Sequence, residues 1–157
     1  MKPSFSLTSN YTQSDLHDEF NAFCAIVSSA TGGSLNITRF GQFLVMTQDV
    51  QSNQVTELGA ATVSHFDKFR APLTDKDIEK RRGHKLKPQQ DELMLCWGYP
   101  YVMQEFKFHM TLTSPLSNDA IDVIEQHANT RFQDYLGKTL KINSLALLGE
   151  DNDSGRF

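Results

Sequence analysis

The most strictly alternating stretch of the sequence is Phe106-Lys107-Phe108-His109-Met110-Thr111-Leu112-Thr113. Successive side chains of a β-strand point to opposite faces of the sheet, so this alternation predicts a strand. One face collects the apolar residues, which are expected to meet the core: Phe106, Phe108, Met110 and Leu112. The other carries a cation, an imidazole and two hydroxyls: Lys107, His109, Thr111 and Thr113. Such a row can hold a phosphate while the histidine moves a proton, since its pKa is normally near neutrality.

Composition restricts the class of protein. The 157 residues fit one domain, and the apolar share of 39% is that of a globular chain. The net charge of −4 argues against a nucleic-acid surface but permits a small anionic ligand in a local basic pocket. Cys24 and Cys96 match no metal or redox spacing and are predicted to be reduced, half-buried thiols. With no apolar leader in residues 1–10 and no stretch of membrane-spanning length, the expected location is the cytoplasm.

Apolar periodicity and turn residues predict the order of elements. Helices are expected over residues 13–29, 52–68, 75–82 and 88–97, with another beginning after Ser117. Strands are expected over residues 2–8, 35–40, 42–47, 106–113 and 140–148, the third of them central because it is apolar on both faces. Gly32 and Gly33, which follow the first helix, are predicted to end it. The whole chain is predicted to be one α+β domain, an antiparallel sheet with helices packed on one face and a helical insertion at about 70–101.

Several residues outside the His109 strand have two interpretations. Arg70 is either a surface arginine or a fork that binds a substrate phosphate. Tyr101 is either a packing residue or part of the wall of a substrate pocket near the His109 strand. The basic run from Lys80 to Lys85 is more typical of a solvated helix end than of a ligand site. No two histidines stand at metal-ligand spacing with a supporting carboxylate, so neither a metal nor another cofactor is predicted.

Four blocks of sequence, in this order, resemble one known family: residues 39–44, 66–74, 97–102 and 105–113. They read Arg-Phe-Gly-Gln-Phe-Leu, Phe-Asp-Lys-Phe-Arg-Ala-Pro-Leu-Thr, Trp-Gly-Tyr-Pro-Tyr-Val and Glu-Phe-Lys-Phe-His-Met-Thr-Leu-Thr. The family is DUF1045, the phosphonate-metabolism branch of the 2H phosphoesterase superfamily. The resemblance extends from about Lys2 to Leu147, which is nearly the whole chain.

This resemblance implies a bilobal α+β fold in which each lobe brings one His-x-Thr motif to a central cleft. In that superfamily one histidine is the general base, the other protonates the leaving oxygen, and the hydroxyls hold the phosphoryl oxygens of cyclic phosphodiesters without a metal. His109 and Thr111 correspond to the second motif, and Thr113 lies on the same face as a helper. The first motif resembles His-Ala-Thr-Leu-Lys-x-Pro-Phe, and here only Lys2-Pro3-Ser4-Phe5 looks like its tail.

The expectation is therefore a chain truncated at its N-terminus, with an incomplete first lobe. Its expected function is a 2H-type phosphoesterase acting on cyclic phosphodiesters or related esters, linked to phosphonate metabolism. The alternative is a non-catalytic or vestigial protein that binds phosphate through the His109 to Thr113 face. The expected partners are a small phosphorylated substrate and a second copy of the chain, paired through an uncovered sheet edge.

Overall fold

A computed structural model of the chain describes residues 5–83 and 85–150. The elements, in chain order, are α1 (Gln13–Ile26), β1 (Ala30–Phe40), β2 (Phe43–Gln48), α2 (Asn53–Phe66), α3 (Asp75–Arg82), α4 (Pro88–Trp97), β3 (His109–Thr111), α5 (Asn118–Arg131) and β4 (Thr139–Ile142). The four strands form one antiparallel sheet in the order β3-β2-β1-β4. The predicted α+β class is confirmed.

Strand β2 is the buried centre of the sheet. It pairs with β1 along one edge and with β3 along the other. Three successive residues, Leu44, Val45 and Met46, are 0%, 1% and 5% exposed, although they point alternately to opposite faces. The prediction of a central strand, made from an apolar run on both faces, is correct.

The helices that contact the sheet cover one of its faces. Leu35 and Arg39 of β1 lie on the same face because they are four residues apart in a regular ladder. Leu35 packs in the cluster that contains Val55 of α2, and the guanidinium of Arg39 binds the carboxylates of Asp122 and Glu125 in α5. Both helices therefore lie on this face, and the opposite face of β1, β2 and β3 carries the His109 row.

Local sequence signals place several helix ends as expected. Thr12 and Asp15 form a reciprocal capping box at the start of α1, and Thr74 and Asp77 form another at the start of α3. Helix α4 begins at Pro88 and ends at Gly98, whose φ of +77° is readily adopted only by glycine. In the described part of the chain, no helix is long and apolar enough to cross a membrane.

Several boundaries differ from the predictions, and α1 ends at Ile26 rather than at residue 29. Gly32 and Gly33 lie within β1, which begins at Ala30 and has an irregularity between Thr31 and Ser34. They do not form a helix exit; instead they admit neighbouring side chains, since a Cβ on Gly32 would lie 2.5 Å from Gln48 Oε1. Strand β4 ends at Ile142 rather than near residue 148. The predicted strand at 2–8 lies partly outside the described residues, and its described part has one antiparallel bridge, between Leu7 and Arg70.

The two cysteines are also placed differently from the expectation. Cys24 and Cys96 are free thiols, and both are exposed rather than half-buried. Each lies on a helix, α1 and α4 respectively, on a side that the neighbouring elements leave open.

A charged cluster ties α1 to the end of α2. Glu19 of α1 lies between His65, at 2.6 Å from Nε2 to Oε1, and Lys68, at 2.8 Å from Nζ to Oε2. The hydrogen bond from Lys68, and then the one from His65, lowers the pKa of Glu19 below its ordinary value. The cluster lies beside the contact between Phe23 and Phe66, so the ion pairs border an apolar contact between the same helices.

The stability of this helix pair is expected to depend on pH. A carboxyl whose pKa is lower in the folded than in the unfolded protein stabilises the fold above the unfolded value, and this contribution is lost as pH falls through the folded value. The substitution Glu19→Gln should lower the thermal unfolding midpoint at neutral pH. The difference in midpoint between this variant and the parent protein should become smaller below about pH 4. Asp18→Asn, at an exposed neighbouring carboxylate, is the control. A difference in midpoint that stays constant from neutral to acid pH would contradict a stabilising role of the ionised Glu19 carboxylate.

Candidate functional site

The polar face of the sheet forms two rows across three strands. His109 of β3 lies opposite Thr47 of β2, which lies opposite Asn36 of β1. In the next row Thr111 lies opposite Val45, which lies opposite Thr38. Directly opposed residues of antiparallel strands share a face, so these side chains surround His109 and Thr111 on one surface.

Three members of this surface are not among the predicted site residues: Asn36, Thr38 and Thr47. A signal was present in β1, where Ser34, Asn36 and Thr38 alternate with Leu35, Ile37 and Arg39. That pattern shows which residues share a face, but only the register with β3 shows that the polar ones lie across the sheet from His109.

The His109 strand is shorter than predicted. Its ladder covers only residues 109–111, whereas the alternating pattern predicted 106–113. Phe106 and Phe108 are buried as expected, but Met110 is 39% exposed because β3 is the edge strand of the sheet. Other hydrogen bonds hold the two ends of the predicted strand. The side chains of Gln51 and Thr47 bind the backbone of 106–108, while at the other end Leu112 N donates to Leu44 O at 2.9 Å and Thr113 Oγ1 accepts from Leu44 N at 3.1 Å.

The imidazole of His109 is held by one backbone carbonyl. Its Nδ1 lies 2.8 Å from the carbonyl oxygen of Lys107. A carbonyl can only accept, so Nδ1 carries the hydrogen, and in the neutral ring Nε2 keeps the lone pair. The ring also contacts Phe40, with centroids 5.4 Å apart. His109 is exposed and therefore presents a proton acceptor to solvent or to a ligand.

The hydroxyls near His109 differ in their exposure and in the hydrogen bonds that they already make. Thr111 is exposed and lies two residues along the same strand face. Thr47 donates its hydroxyl hydrogen to Phe108 O at 2.7 Å, and Thr113 accepts a backbone N–H, which leaves its own hydrogen available to a ligand. The predicted residues His109, Thr111 and Thr113 are therefore brought together, with Thr111 the most accessible hydroxyl.

Arg70 lies in a different place. Its Nε donates to Asp67 Oδ1 at 2.8 Å, and its Nη2 donates to the carbonyl oxygen of Cys96 at 3.1 Å. It lines a cleft of about 270 Å³ together with Arg81, Asp77 and Ser6, and the lining includes no member of the His109 row. The structure thus shows Arg70 joining the segment after α2 to the end of α4, apart from the predicted histidine site.

Tyr101 belongs to the surroundings of Arg70. Its ring meets the ring of Tyr99 edge to face, with centroids 5.7 Å apart, and the guanidinium of Arg81 lies 5.3 Å from the centroid of Tyr99. Burial raises the pKa of Tyr99. Since Arg81 also lines the Arg70 cleft, Tyr101 is connected to that cleft through the rings and guanidinium of Tyr99 and Arg81.

Among the residues described, no group of three or more His, Cys, Asp or Glu side chains is placed to hold a metal ion. One member of the basic run from Lys80 to Lys85 forms an ion pair: Arg82 binds Asp91 of α4 through two hydrogen bonds of 2.8 Å. His84 of the same run lies outside the described residues.

The contact between Arg70 and Gly98 gives a test of this packing. Gly98 has φ +77°, and a Cβ there would lie 2.7 Å from Arg70 Cδ. Gly137 has a similar φ of +72° with nothing within 4 Å of the equivalent Cβ position. Each substitution by Ala should cost about 1–2 kcal/mol of unfolding free energy from backbone strain. Gly98→Ala should cost more than Gly137→Ala because it also displaces Arg70; equal losses in urea titrations would contradict the contact.

The comparisons with known proteins give a family and two longer relatives. The chain is 32% identical over 124 residues to ribose 1,5-bisphosphate phosphokinase PhnN of Janthinobacterium sp. (strain Marseille), covering 79% of this chain and 27% of that protein. It is 38% identical over 71 residues to the protein of the same name from Laribacter hongkongensis (strain HLHK9), covering 45% of this chain and 15% of that protein. The chain thus spans about a quarter or less of the curated relatives it matches. No solved structure matches it.

The family match covers the full sequence. The family described as "Protein of unknown function (DUF1045)" matches residues 1–157. The resemblance predicted from the four sequence blocks is thereby confirmed at the level of the family, while the wider superfamily stays a prediction. The chain belongs to the DUF1045 family.

Proposed function

We propose that this chain is a phosphoesterase of the 2H type, acting on cyclic phosphodiesters or related phosphate esters. The observation that carries the proposal is the hydrogen bond between His109 Nδ1 and the carbonyl oxygen of Lys107. It leaves Nε2 as the proton-accepting atom of an exposed imidazole, beside the exposed hydroxyl of Thr111. Proton transfer to or from a reacting oxygen is the role for which such a histidine is suited.

The roles of the side chains follow from their freedom to bond. His109 Nε2 takes a proton from the attacking water or hydroxyl, or in its protonated form gives one to the leaving oxygen. Thr111 donates to a phosphoryl oxygen from the same strand face, and Thr113 adds a second donor. Lys107 precedes His109 by two residues, is exposed and brings a positive charge to the phosphate. Arg70 and Tyr101 act in this proposal as a separate contact for a remote part of the substrate.

The kinase name of the relatives is not carried over to this chain. A phosphate-binding loop of P-loop kinases needs Gly-x-x-x-x-Gly-Lys-Ser/Thr. The one Gly-Lys-Thr in the sequence, at Gly137, has Phe132 in the place of the first glycine. The name nevertheless concerns a phosphorylated ribose, and it belongs to proteins that contain a segment similar to this chain. This supports a sugar phosphate ester as substrate, in the phosphonate metabolism that the family resemblance implies.

One observation favours a second function, phosphate binding without hydrolysis. The 157-residue sequence contains a single His-x-Thr, at His109, and acid–base catalysis by two histidines needs another. Each acid–base histidine typically contributes about 10²- to 10⁴-fold to the rate. Without the second histidine, the same residues would form a phosphate-binding surface.

Hydrolysis by matched histidine variants separates the two functions. The substrates are a ribose cyclic phosphate, a nucleoside cyclic phosphate and an acyclic phosphodiester, and the product is followed by phosphorus NMR. His109→Ala should lower the rate by about 10²- to 10⁴-fold. His127→Ala is the control, because His127 is also exposed and its Nδ1 is also held by a backbone carbonyl, that of Val123 at 2.7 Å. That variant should retain the parent rate.

The outcomes are distinct. Equal rates for His109→Ala and the parent would overturn the catalytic role of His109. If no substrate is hydrolysed but phosphate esters bind, with weaker binding by Thr111→Val, the second function is the correct one. If neither hydrolysis nor binding is observed, both proposals fail.

A further inference from the structure

We infer that Gln51 is a positioning residue for His109: its side-chain amide fixes the peptide plane whose carbonyl holds the imidazole. Gln51 lies in the short connection between β2 and α2, outside every strand. Among the described residues, its side chain forms hydrogen bonds with Thr56, Phe106 and Phe108, and none with the imidazole of His109. The inference rests on the proposed role of His109, and it adds a residue through which that role is maintained.

The amide of Gln51 binds the backbone on both sides of Lys107. Its Nε2 donates to the carbonyl oxygen of Phe106 at 2.7 Å, and its Oε1 accepts from Phe108 N at 3.1 Å. The N–H and the C=O of one residue in a parallel neighbouring strand would bracket Lys107 with the same two bonds. The side chain therefore takes the place of a strand just where the ladder between β2 and β3 has ended, since β2 ends at Gln48 and the last pair joins Thr47 to His109.

One of these two bonds acts directly on the carbonyl that holds His109. The N–H of Phe108 and the C=O of Lys107 belong to the same peptide unit, which is planar. When Gln51 Oε1 fixes the direction of the Phe108 N–H, it also fixes the direction of the Lys107 carbonyl. That carbonyl oxygen accepts the hydrogen of His109 Nδ1 at 2.8 Å. Gln51 thus acts on the tautomer of the imidazole through one rigid group.

The next peptide unit is held by a second side chain. Thr47 Oγ1 donates to the carbonyl oxygen of Phe108 at 2.7 Å, and this carbonyl shares its peptide plane with the N–H of His109. Gln51 and Thr47 therefore hold the two successive peptide planes before His109. In addition, Phe106 and Phe108 anchor the segment in the core beside Val55. The histidine is placed at the end of a segment that is held on its backbone and on its apolar side.

The experiment compares the variants Gln51→Met and Gln54→Met. Methionine has a similar length and no amide, so Gln51→Met removes both bonds to the backbone of 106–108. Gln54 is the matched control, because its Oε1 accepts a hydrogen bond from Thr31 N at 2.9 Å, also from a position near the start of α2 but away from the His109 segment. The measurements are the ring nitrogen chemical shifts of His109 by nitrogen-15 NMR, with the imidazole in its neutral form, and kcat and KM on a cyclic phosphodiester.

In the parent and in Gln54→Met, the neutral imidazole of His109 should carry its hydrogen on Nδ1. In Gln51→Met it should shift toward a mixture of the two tautomers, and kcat should fall by about tenfold or more while KM changes less than about twofold. A purely structural role would lower the unfolding midpoint of both variants without a change in the tautomer. An unchanged tautomer and an unchanged kcat in a folded Gln51→Met protein would overturn the inference.

The failure of this inference and the failure of the proposed function are distinguishable. The tautomer of His109 is measured without any substrate, so it tests Gln51 even if the chain hydrolyses nothing. Equal rates for His109→Ala and the parent would contradict the function, whereas a shifted tautomer in Gln51→Met would still support the positioning. A fall in rate with His109→Ala and none with Gln51→Met would contradict the positioning alone.

Discussion

The burial of β2 is the constraint on which the rest of the structure depends. This strand has a partner on each edge, and Leu44, Val45 and Met46 are almost without exposed surface although they face opposite sides. Both faces of the sheet must therefore exclude water at its centre. Helices α2 and α5 lie on one face, and on the other Val45 lies between Thr38 and Thr111 in the ladder, with the rings of Phe40 and His109 in contact in the adjoining rows.

This division of the sheet explains how a polar surface can lie next to a small core. On the helix-covered face, Leu35 of β1 packs with Val55 of α2, and Arg39 of β1 binds the carboxylates of α5. The other face is left to Asn36, Thr38, Thr47, His109 and Thr111. Because the side-chain period of a strand is two, a register shift of one residue would move His109 to the helix-covered face. The register of β3 is therefore as important to the site as the identity of its residues.

The proposed site combines an exposed histidine with backbone support from side chains of a neighbouring strand and a connecting segment. In this chain the ring of His109 is hydrogen-bonded to the carbonyl of Lys107, and the N–H of the same peptide unit is hydrogen-bonded to Gln51 of a connecting segment. An edge strand has a hydrogen-bonded neighbour on one side only, so part of its backbone is unpaired. Side-chain bonds from Gln51, Thr47 and Thr113 compensate for this at both ends of β3.

The sequence by itself determined the class of fold, several of the helix ends and the row that contains His109. It could do so because these depend on local periodicity, capping side chains and the alternation of a strand, as at Thr12, Pro88 and Phe106. Only the tertiary structure decided where the ladder stops, which residues of β1 and β2 surround His109, and that Arg70 lines a cleft to which Tyr101 is connected. Each of these depends on register or on contacts between distant segments, such as Gln51 with Phe108 and Arg70 with Cys96. A contact between segments leaves no period in the sequence, so it becomes visible only when the chain is folded.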